Sequence, residues 1–304
     1  MAFRERLDDP QRRLLIHTFV PPPRSASRTE LDAVAQSLER LRRQARLDAV
    51  HLPQVRPDPR SPRPRFVPKL APRAFARAMD RRLDTPPDWL LNRAIRDYPW
   101  AQHATWLRRT IEEQGDPSLV LAGGAPERSP VPGPFVTEAT RRIRAADGDR
   151  VRLGGIAVPD RRDESERLLA KTEAGIDFFI TQILGEGDST CRLIADYHRL
   201  CLENGCRPRP LILSVAPVSG RRDVAFLEAW GVQFDPRGRR ALMGSSLGIG
   251  WRSIDMAIQL LHRVAARSQA ETLGVPLGAN VEHVRPHNLE LSAELLKRVS
   301  EEWS

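Results

Sequence analysis

Short apolar runs alternate with amphipathic stretches along almost the whole chain of 304 residues. The runs are apolar on both faces, a pattern typical of strands in a buried parallel sheet. Eight such runs are predicted to be strands: 14–20, 48–52, 89–95, 118–122, 151–158, 176–183, 210–216 and 275–282.

Segments with helical spacing separate these runs. In 28–46 the apolar residues line one stripe, and Ser27 with Glu30 predicts a capping box at its start. Gly175 is well placed to end a helix, and Asn288 is a candidate cap for the last one. Further helices are predicted at 71–83, 100–114, 135–146, 163–174, 188–204, 221–230, 251–268 and 288–302.

This alternation predicts an α/β fold, a closed (β/α)8 TIM barrel that forms a single domain over residues 1–304. A doubly wound open sheet is the alternative, but no G-x-G-x-x-G motif follows any strand. Residues 1–12 are predicted to be a flexible tail. The Pro- and Arg-rich segment 53–69 follows the second strand on the catalytic face, either as a lid or as a plain surface loop. A second irregular insert, 235–250, is glycine-rich but lacks the lysine of a P-loop.

Composition and charge narrow the function classes. The formal net charge is +9, but the basic residues are almost all arginine and alternate with acids. This favours a basic mouth for an anionic small molecule over a nucleic-acid groove. Cys191, Cys201 and Cys206 fit no zinc pattern and are predicted to be reduced thiols of a cytoplasmic protein. No run of apolar residues is long enough for a membrane span, and the charged start is unlike a secretory signal.

The C-terminal strand ends form the site in a barrel of this kind. The candidates there are mostly polar, and the amides of Gln54, Gln182 and Asn280 suit a heterocycle with donor and acceptor edges. An amide at a strand end also serves loop backbone, so that alternative remains for each. His283 and His287 lack a carboxylate partner in sequence and make a weak metal motif. The candidate residues are Thr18, Val20, Gln54, Arg96, Asp97, Gly123, Gly124, Thr181, Gln182, Asn280, Glu282 and His283.

Several segments, in order, resemble the methylenetetrahydrofolate reductases, and most closely the flavin-independent actinobacterial members. They are TFVPPPR, LVLAGGAPERSPVPGPFVTEA, LLAKTEAGIDFFITQ, RPLILSVAPV and LGVPLGANVEHV, which begin at residues 18, 119, 168, 209 and 273. The resemblance implies a TIM barrel that passes hydride from NADH (or NADPH) to 5,10-methylenetetrahydrofolate, without flavin or metal. It implies a reduced folate bound by Gln182. The positions of Asn280, Gln54 and Thr181 at strand ends predict them as further substrate contacts, although related flavin-independent sequences tend to have an acid where this chain has Gln54. The cofactor contacts are then expected at Gly123, Gly124, Pro132 and Gly133.

One departure from the family bears on the chemistry. The family has Glu where this chain has Thr18, and the acid is needed because opening of the folate ring requires a proton on N10. A threonine hydroxyl is no acid near neutral pH, so Glu282 and Asp97 are the candidate acids that replace it. Thr18 itself remains a candidate catalytic position. His17 has a suitable ordinary pKa, but strand alternation predicts that it faces the helix layer. Two alternatives therefore remain: a folate- or partner-binding homologue with weak or no reductase activity, and a specialised iminium-reducing or one-carbon enzyme of a biosynthetic pathway. Self-association also stays open.

Overall fold

The computed structural model describes residues 3–55, 67–123, 133–244 and 248–303. Eight parallel strands close into a barrel in chain order, and the first strand pairs with the last. This confirms the predicted single (β/α)8 barrel. The strands are β1 Leu15–Phe19, β2 Ala49–Leu52, β3 Trp89–Ala94, β4 Ser118–Ala122, β5 Arg152–Ala157, β6 Phe178–Thr181, β7 Leu211–Val215 and β8 Leu277–His283.

Helices surround the barrel, and the predicted boundaries agree with the observed ones to within a few residues. Over the described residues the helices are α1 Phe3–Leu7, α2 Arg28–Gln44, α3 Pro72–Asp80, α4 Trp100–Gln114, α5 Val136–Asp147, α6 Glu164–Ala174, α7 Asp188–Glu203, α8 Arg221–Ala229, α9 Pro236–Gly244, α10 Ile249–Ala270 and α11 Leu289–Glu302. None of the helices in these ranges is long and apolar enough to cross a lipid bilayer.

Two of the three predicted helix-terminating or helix-capping signals have the predicted role in the structure. Ser27 and Glu30 form the capping box of α2, and Gly175 ends α6 with a φ of 107° that a side chain rarely adopts. Asn288 lies at the start of α11 but makes no side-chain cap. Its amide instead donates to the carboxylate of Asp223 at 2.9 Å.

Two segments contain more regular structure than the sequence pattern predicts. Part of the expected flexible tail, residues 1–12, is helix α1, which closes the N-terminal end of the barrel. Phe3 and Leu7 are buried there, and the Phe3 ring meets Phe178 edge-on with centroids 5.5 Å apart. Only two apolar side chains anchor α1, and the charged residues around them leave no helical hydrophobic pattern to be recognised in the sequence. In the same way α9 lies inside the insert 235–250, where Leu242 is buried in a small apolar cluster.

The barrel interior is a packed apolar layer, separate from the larger layer between strands and helices. Successive side chains of a strand point to opposite faces, so each inward-facing row follows every second residue. The row of β1 contains Ile16, and the row of β2 contains Ala49. The next inward residues toward the C-terminal mouth are Thr18 and His51.

Candidate functional site

The inward rows of four adjacent strands end in polar side chains at the C-terminal mouth. Strand alternation carries β1 to Thr18, β2 to His51 and β7 to Ser214, while β8 contributes Asn280 and Glu282. Their strands are neighbours in the order β2, β1, β8, β7, and Thr18 lies opposite both His51 and Glu282 in the strand register. These five residues are called the mouth cluster below.

Hydrogen bonds join the mouth cluster into one chain. The Thr18 Oγ1 atom lies 3.0 Å from His51 Nδ1 and donates to Asn280 Oδ1, also at 3.0 Å. Asn280 Nδ2 donates to Ser214 Oγ at 2.9 Å and to Glu282 Oε1 at 3.3 Å. Thr18, Asn280 and Ser214 are at most 2% exposed. Buried polar groups that are all hydrogen-bonded hold each other in one orientation.

The direction of these hydrogen bonds fixes the form of the histidine. Thr18 has a single hydroxyl hydrogen, and it goes to Asn280. Thr18 therefore accepts the hydrogen bond from His51, whose Nδ1 must carry hydrogen. Burial lowers the pKa of His51 to about 3, so the ring is neutral at physiological pH. Its Nε2 atom is then a lone-pair acceptor.

Glu282 is the acid of the mouth cluster. Part of its side chain is open to the mouth, but protein surrounds the carboxyl group, and this loss of hydration raises its pKa from 4.5 to about 7. A hydrogen bond with Ser214 acts in the opposite direction and is the weaker effect. A carboxyl group that titrates near neutrality gives up and takes back a proton readily.

Gln182 is on the inward side of the chain just beyond β6. Its Nε2 atom donates to the backbone carbonyl of Trp230 at 2.9 Å, which ties it to the segment after α8. Thr181 faces the other way, and its hydroxyl accepts a hydrogen bond from the Ser214 backbone N–H at 2.8 Å. Thr181 thus joins β6 to β7, whereas Gln182 lies at the mouth with one of its amide groups already engaged.

Two other predicted residues lie on the β2–β3 side of the mouth. The Gln54 Oε1 atom accepts from the Ala94 backbone N–H at 2.9 Å, so this amide connects the end of β3 with the segment after β2. Asp97 is half-buried on a short 3₁₀ turn after β3, close enough to His103 to oppose the lowering of that histidine's pKa by burial.

The predicted cofactor positions are only partly described. Gly124 and Pro132 lie outside the described residues, as do residues 56–66 of the predicted lid 53–69. Gly133 packs against backbone, because a Cβ atom there would collide with the carbonyl oxygens of Ile95 and Tyr98. Gly123 has open space at the corresponding position.

The histidines flagged by the sequence lie outside the mouth cluster. His17 is fully buried on the outer side of β1 and packs near Phe19, as strand alternation predicts. Burial and, to a smaller extent, the neighbouring His283 lower the pKa of His17 to about 3, against a weaker opposite effect of the Val281 backbone. His287 contacts the Asp223 carboxylate at 3.1 Å. Among the described residues no group of three or more metal-ligating side chains occurs, and all three cysteines are free thiols.

His51 and Ser214 were not predicted as site residues. The sequence holds a signal for both, since each is two positions beyond an inward apolar residue, Ala49 and Ile212 respectively. The sequence pattern predicts the strand itself at 48–52, but its candidate site residue is Gln54, beyond the last residue of the strand, and His51 is passed over.

Comparison with known proteins gives a likeness in fold. The sequence matches no family model and no curated protein. A solved structure of an uncharacterized protein from Clostridium thermocellum, described as binding two copies of 5-methyl-5,6,7,8-tetrahydrofolic acid, superposes with a TM-score of 0.80. The two chains are 18% identical, and the match covers 99% of each. The Amycolatopsis orientalis BexX/CysO complex matches with a TM-score of 0.46 at 14% identity, over 93% of this chain and 87% of that one. The chain therefore has the barrel fold of the Clostridium protein along its whole length.

Proposed function

We propose that the chain binds a reduced folate at the mouth of the barrel and reduces 5,10-methylenetetrahydrofolate, with Glu282 as the acid. The observation that carries the proposal is the place of Glu282: it faces inward opposite Thr18, the position at which related reductases have their glutamate. The acid is thus present on the neighbouring strand. The full-length likeness to a protein that binds 5-methyltetrahydrofolate supports the folate part of the proposal.

Reduction of 5,10-methylenetetrahydrofolate requires a proton on N10. Opening of the methylene bridge becomes favourable when N10 is protonated, and it leaves an iminium cation at N5. A carboxyl group with a pKa of about 7 is partly protonated at neutral pH and gives its proton to N10. The resulting carboxylate then lies beside the cation and stabilises it. Such general-acid assistance contributes roughly 10²–10⁴ in rate.

A reduced nicotinamide cofactor supplies the hydride in this proposal, with no flavin between. Of the positions predicted to contact it, Gly123 leaves open space at the end of β4, whereas the tight packing of Gly133 suits a structural role. Purified protein without the yellow absorption of flavin, together with a change in nicotinamide fluorescence on titration with NADH, is the expected result.

The remainder of the folate is an aromatic ring and an anionic glutamate. On the same face, after β3, the Arg96 guanidinium lies 4.3 Å from the centroid of the Phe135 ring, which is 63% exposed. An exposed aromatic surface beside a cation suits both parts of that tail. Arg96→Ala is therefore expected to weaken binding of p-aminobenzoyl-glutamate and of the whole folate by a similar factor.

The test is NADH oxidation in the presence of 5,10-methylenetetrahydrofolate, followed by absorbance. Glu282→Gln is expected to lower kcat by roughly 10²–10⁴ while folate binding persists. Glu301→Gln, at an exposed position of α11, is the matched control. A double variant, Thr18→Glu with Glu282→Gln, moves the acid to β1 and is expected to recover part of the rate. An unchanged kcat in Glu282→Gln would refute the assignment of Glu282 as the acid.

A second candidate is a protein that binds the methylated folate without reducing anything. The solved neighbour, described by its binding of two copies of 5-methyltetrahydrofolic acid, favours it. Binding of 5-methyltetrahydrofolate by calorimetry, with no NADH oxidation at any pH, would establish this second function in place of the first.

A further inference from the structure

We infer that His51 is a specificity residue for the heterocycle, accepting a hydrogen bond from one of its N–H groups through Nε2. The inference deepens the proposed function and rests on it, because the ligand is taken to be a reduced folate. The inference goes beyond the proposed function because it assigns a recognition role to a residue that neither the sequence motifs nor the resemblance identifies.

The first observation is an acceptor without a partner. His51 is 5% exposed, and its Nε2 atom has no hydrogen-bond partner among the described residues. Buried polar atoms in folded proteins are nearly always paired, and an unpaired one loses its hydration without compensation. The other ring nitrogen is fully satisfied by Thr18. The only ring nitrogen of His51 that lacks a hydrogen-bond partner among the described residues is therefore Nε2.

The second observation is where that atom lies. Nε2 is the ring nitrogen farther from the backbone, and the side chain faces inward, so Nε2 lies toward the barrel axis. Beneath it is the apolar interior layer that contains Ile16 and Leu90, which offers no donor. We therefore expect the donor to Nε2 to come from the mouth, where a ligand enters a barrel of this type.

The third observation is the fixed chemical form of the ring. The hydrogen-bond chain from His51 through Thr18 and Asn280 holds the hydrogen on Nδ1. With its pKa lowered to about 3 by burial, the ring offers a lone pair at Nε2 over the whole physiological range. An N–H group of a heterocycle is complementary to it, whereas an anion is repelled. A pterin offers several N–H groups, and the p-aminobenzoyl-glutamate tail is anionic.

Two substitutions separate the roles of the two ring nitrogens. His51→Asn keeps a donor near the position of Nδ1 and removes the acceptor at Nε2. His51→Gln places its amide near Nε2 and gives up the bond to Thr18. We expect His51→Asn to fold with little loss of stability and to bind 5-methyltetrahydrofolate about tenfold more weakly. His51→Gln is expected to keep more of the affinity but to lose stability.

The probes are 5-methyltetrahydrofolate and, as a control, p-aminobenzoyl-glutamate, titrated by calorimetry into the full chain. Binding of the tail alone is expected to be unchanged in His51→Asn. A ¹⁵N spectrum of histidine-labelled protein is expected to show His51 with hydrogen on Nδ1, and its Nε2 resonance should shift when 5-methyltetrahydrofolate is added.

The outcomes distinguish this inference from the proposed function. If the unsubstituted chain binds 5-methyltetrahydrofolate and His51→Asn binds it equally well, the specificity role is refuted and folate binding stands. An Nε2 resonance that does not respond to the ligand refutes it too. If the unsubstituted chain binds no folate, the proposed function itself fails.

Discussion

Replacing Glu282 by Gln makes the energetic cost of this acid measurable without any assumption about function. In the folded protein the pKa of the carboxyl is raised from 4.5 to about 7. Below pH 4.5 the group is protonated in both states and no difference exists. As the pH rises from there through about 7, the unfolded chain has released a proton that the folded protein still holds, so stability falls. Above that window the loss is complete.

The size of the effect follows from the shift. A difference of one pKa unit corresponds to 1.36 kcal/mol, so the change from 4.5 to about 7 corresponds to about 3 kcal/mol. Glutamine has a similar shape and does not titrate. Glu282→Gln is therefore expected to match the unsubstituted protein below pH 4.5 and to be more stable by about 3 kcal/mol at about pH 8.5.

Urea unfolding monitored by the fluorescence of the six tryptophans gives the required free energies at both pH values. The exposed Glu301→Gln variant serves as the control and should follow the unsubstituted protein at each pH. Equal pH dependence for Glu282→Gln and the unsubstituted chain would show that the carboxyl is well hydrated. Glu282 would then be ionised at neutral pH and could not act as an acid there.

Three further substitutions test other parts of the structure. Thr18→Val leaves the buried Asn280 Oδ1 and His51 Nδ1 groups unpaired and should lower the free energy of unfolding by roughly 2 kcal/mol, whereas Thr18→Ser should be close to neutral. Phe3→Ala should cost about 3–5 kcal/mol in a urea titration, because α1 plugs the barrel with that ring; a neutral result would mean that the N-terminal segment is not docked in solution. Gly154→Ala should lower the thermal midpoint, since a Cβ atom there would lie 2.5 Å from the Phe178 ring, an overpacking worth about 1–3 kcal/mol.

The fold was predictable because its signals are repeated and local. Every strand carries its own apolar run, and α2 carries a capping box that the structure reproduces. The segments that escaped, α1 and α9, have few apolar residues and are helical because of what they pack against. For α1 the partner is the open end of the barrel itself, and no local pattern encodes that.

The site was predictable only in part, because the residues of the most specific sequence motif do not all lie at the mouth of the barrel. In the stretch LLAKTEAGIDFFITQ, Asp177 accepts from the Leu153 backbone N–H at 2.7 Å and pairs with Arg144, while Lys171 donates to the Ile156 carbonyl at 2.7 Å. Both residues secure the barrel wall. His51 lies in no motif and became visible only when strand register brought β2 beside β1.

The hydrogen bond between Thr18 and Asn280 joins residues that are 262 positions apart in sequence. It crosses the seam where the first and last strands meet, so the mouth cluster cannot exist until the ring of strands has closed. A nascent or half-folded chain consequently has no binding site, however well its individual βα units have formed. Any molecule that binds there contacts residues of both the first and the last strand, and its binding therefore requires a closed barrel.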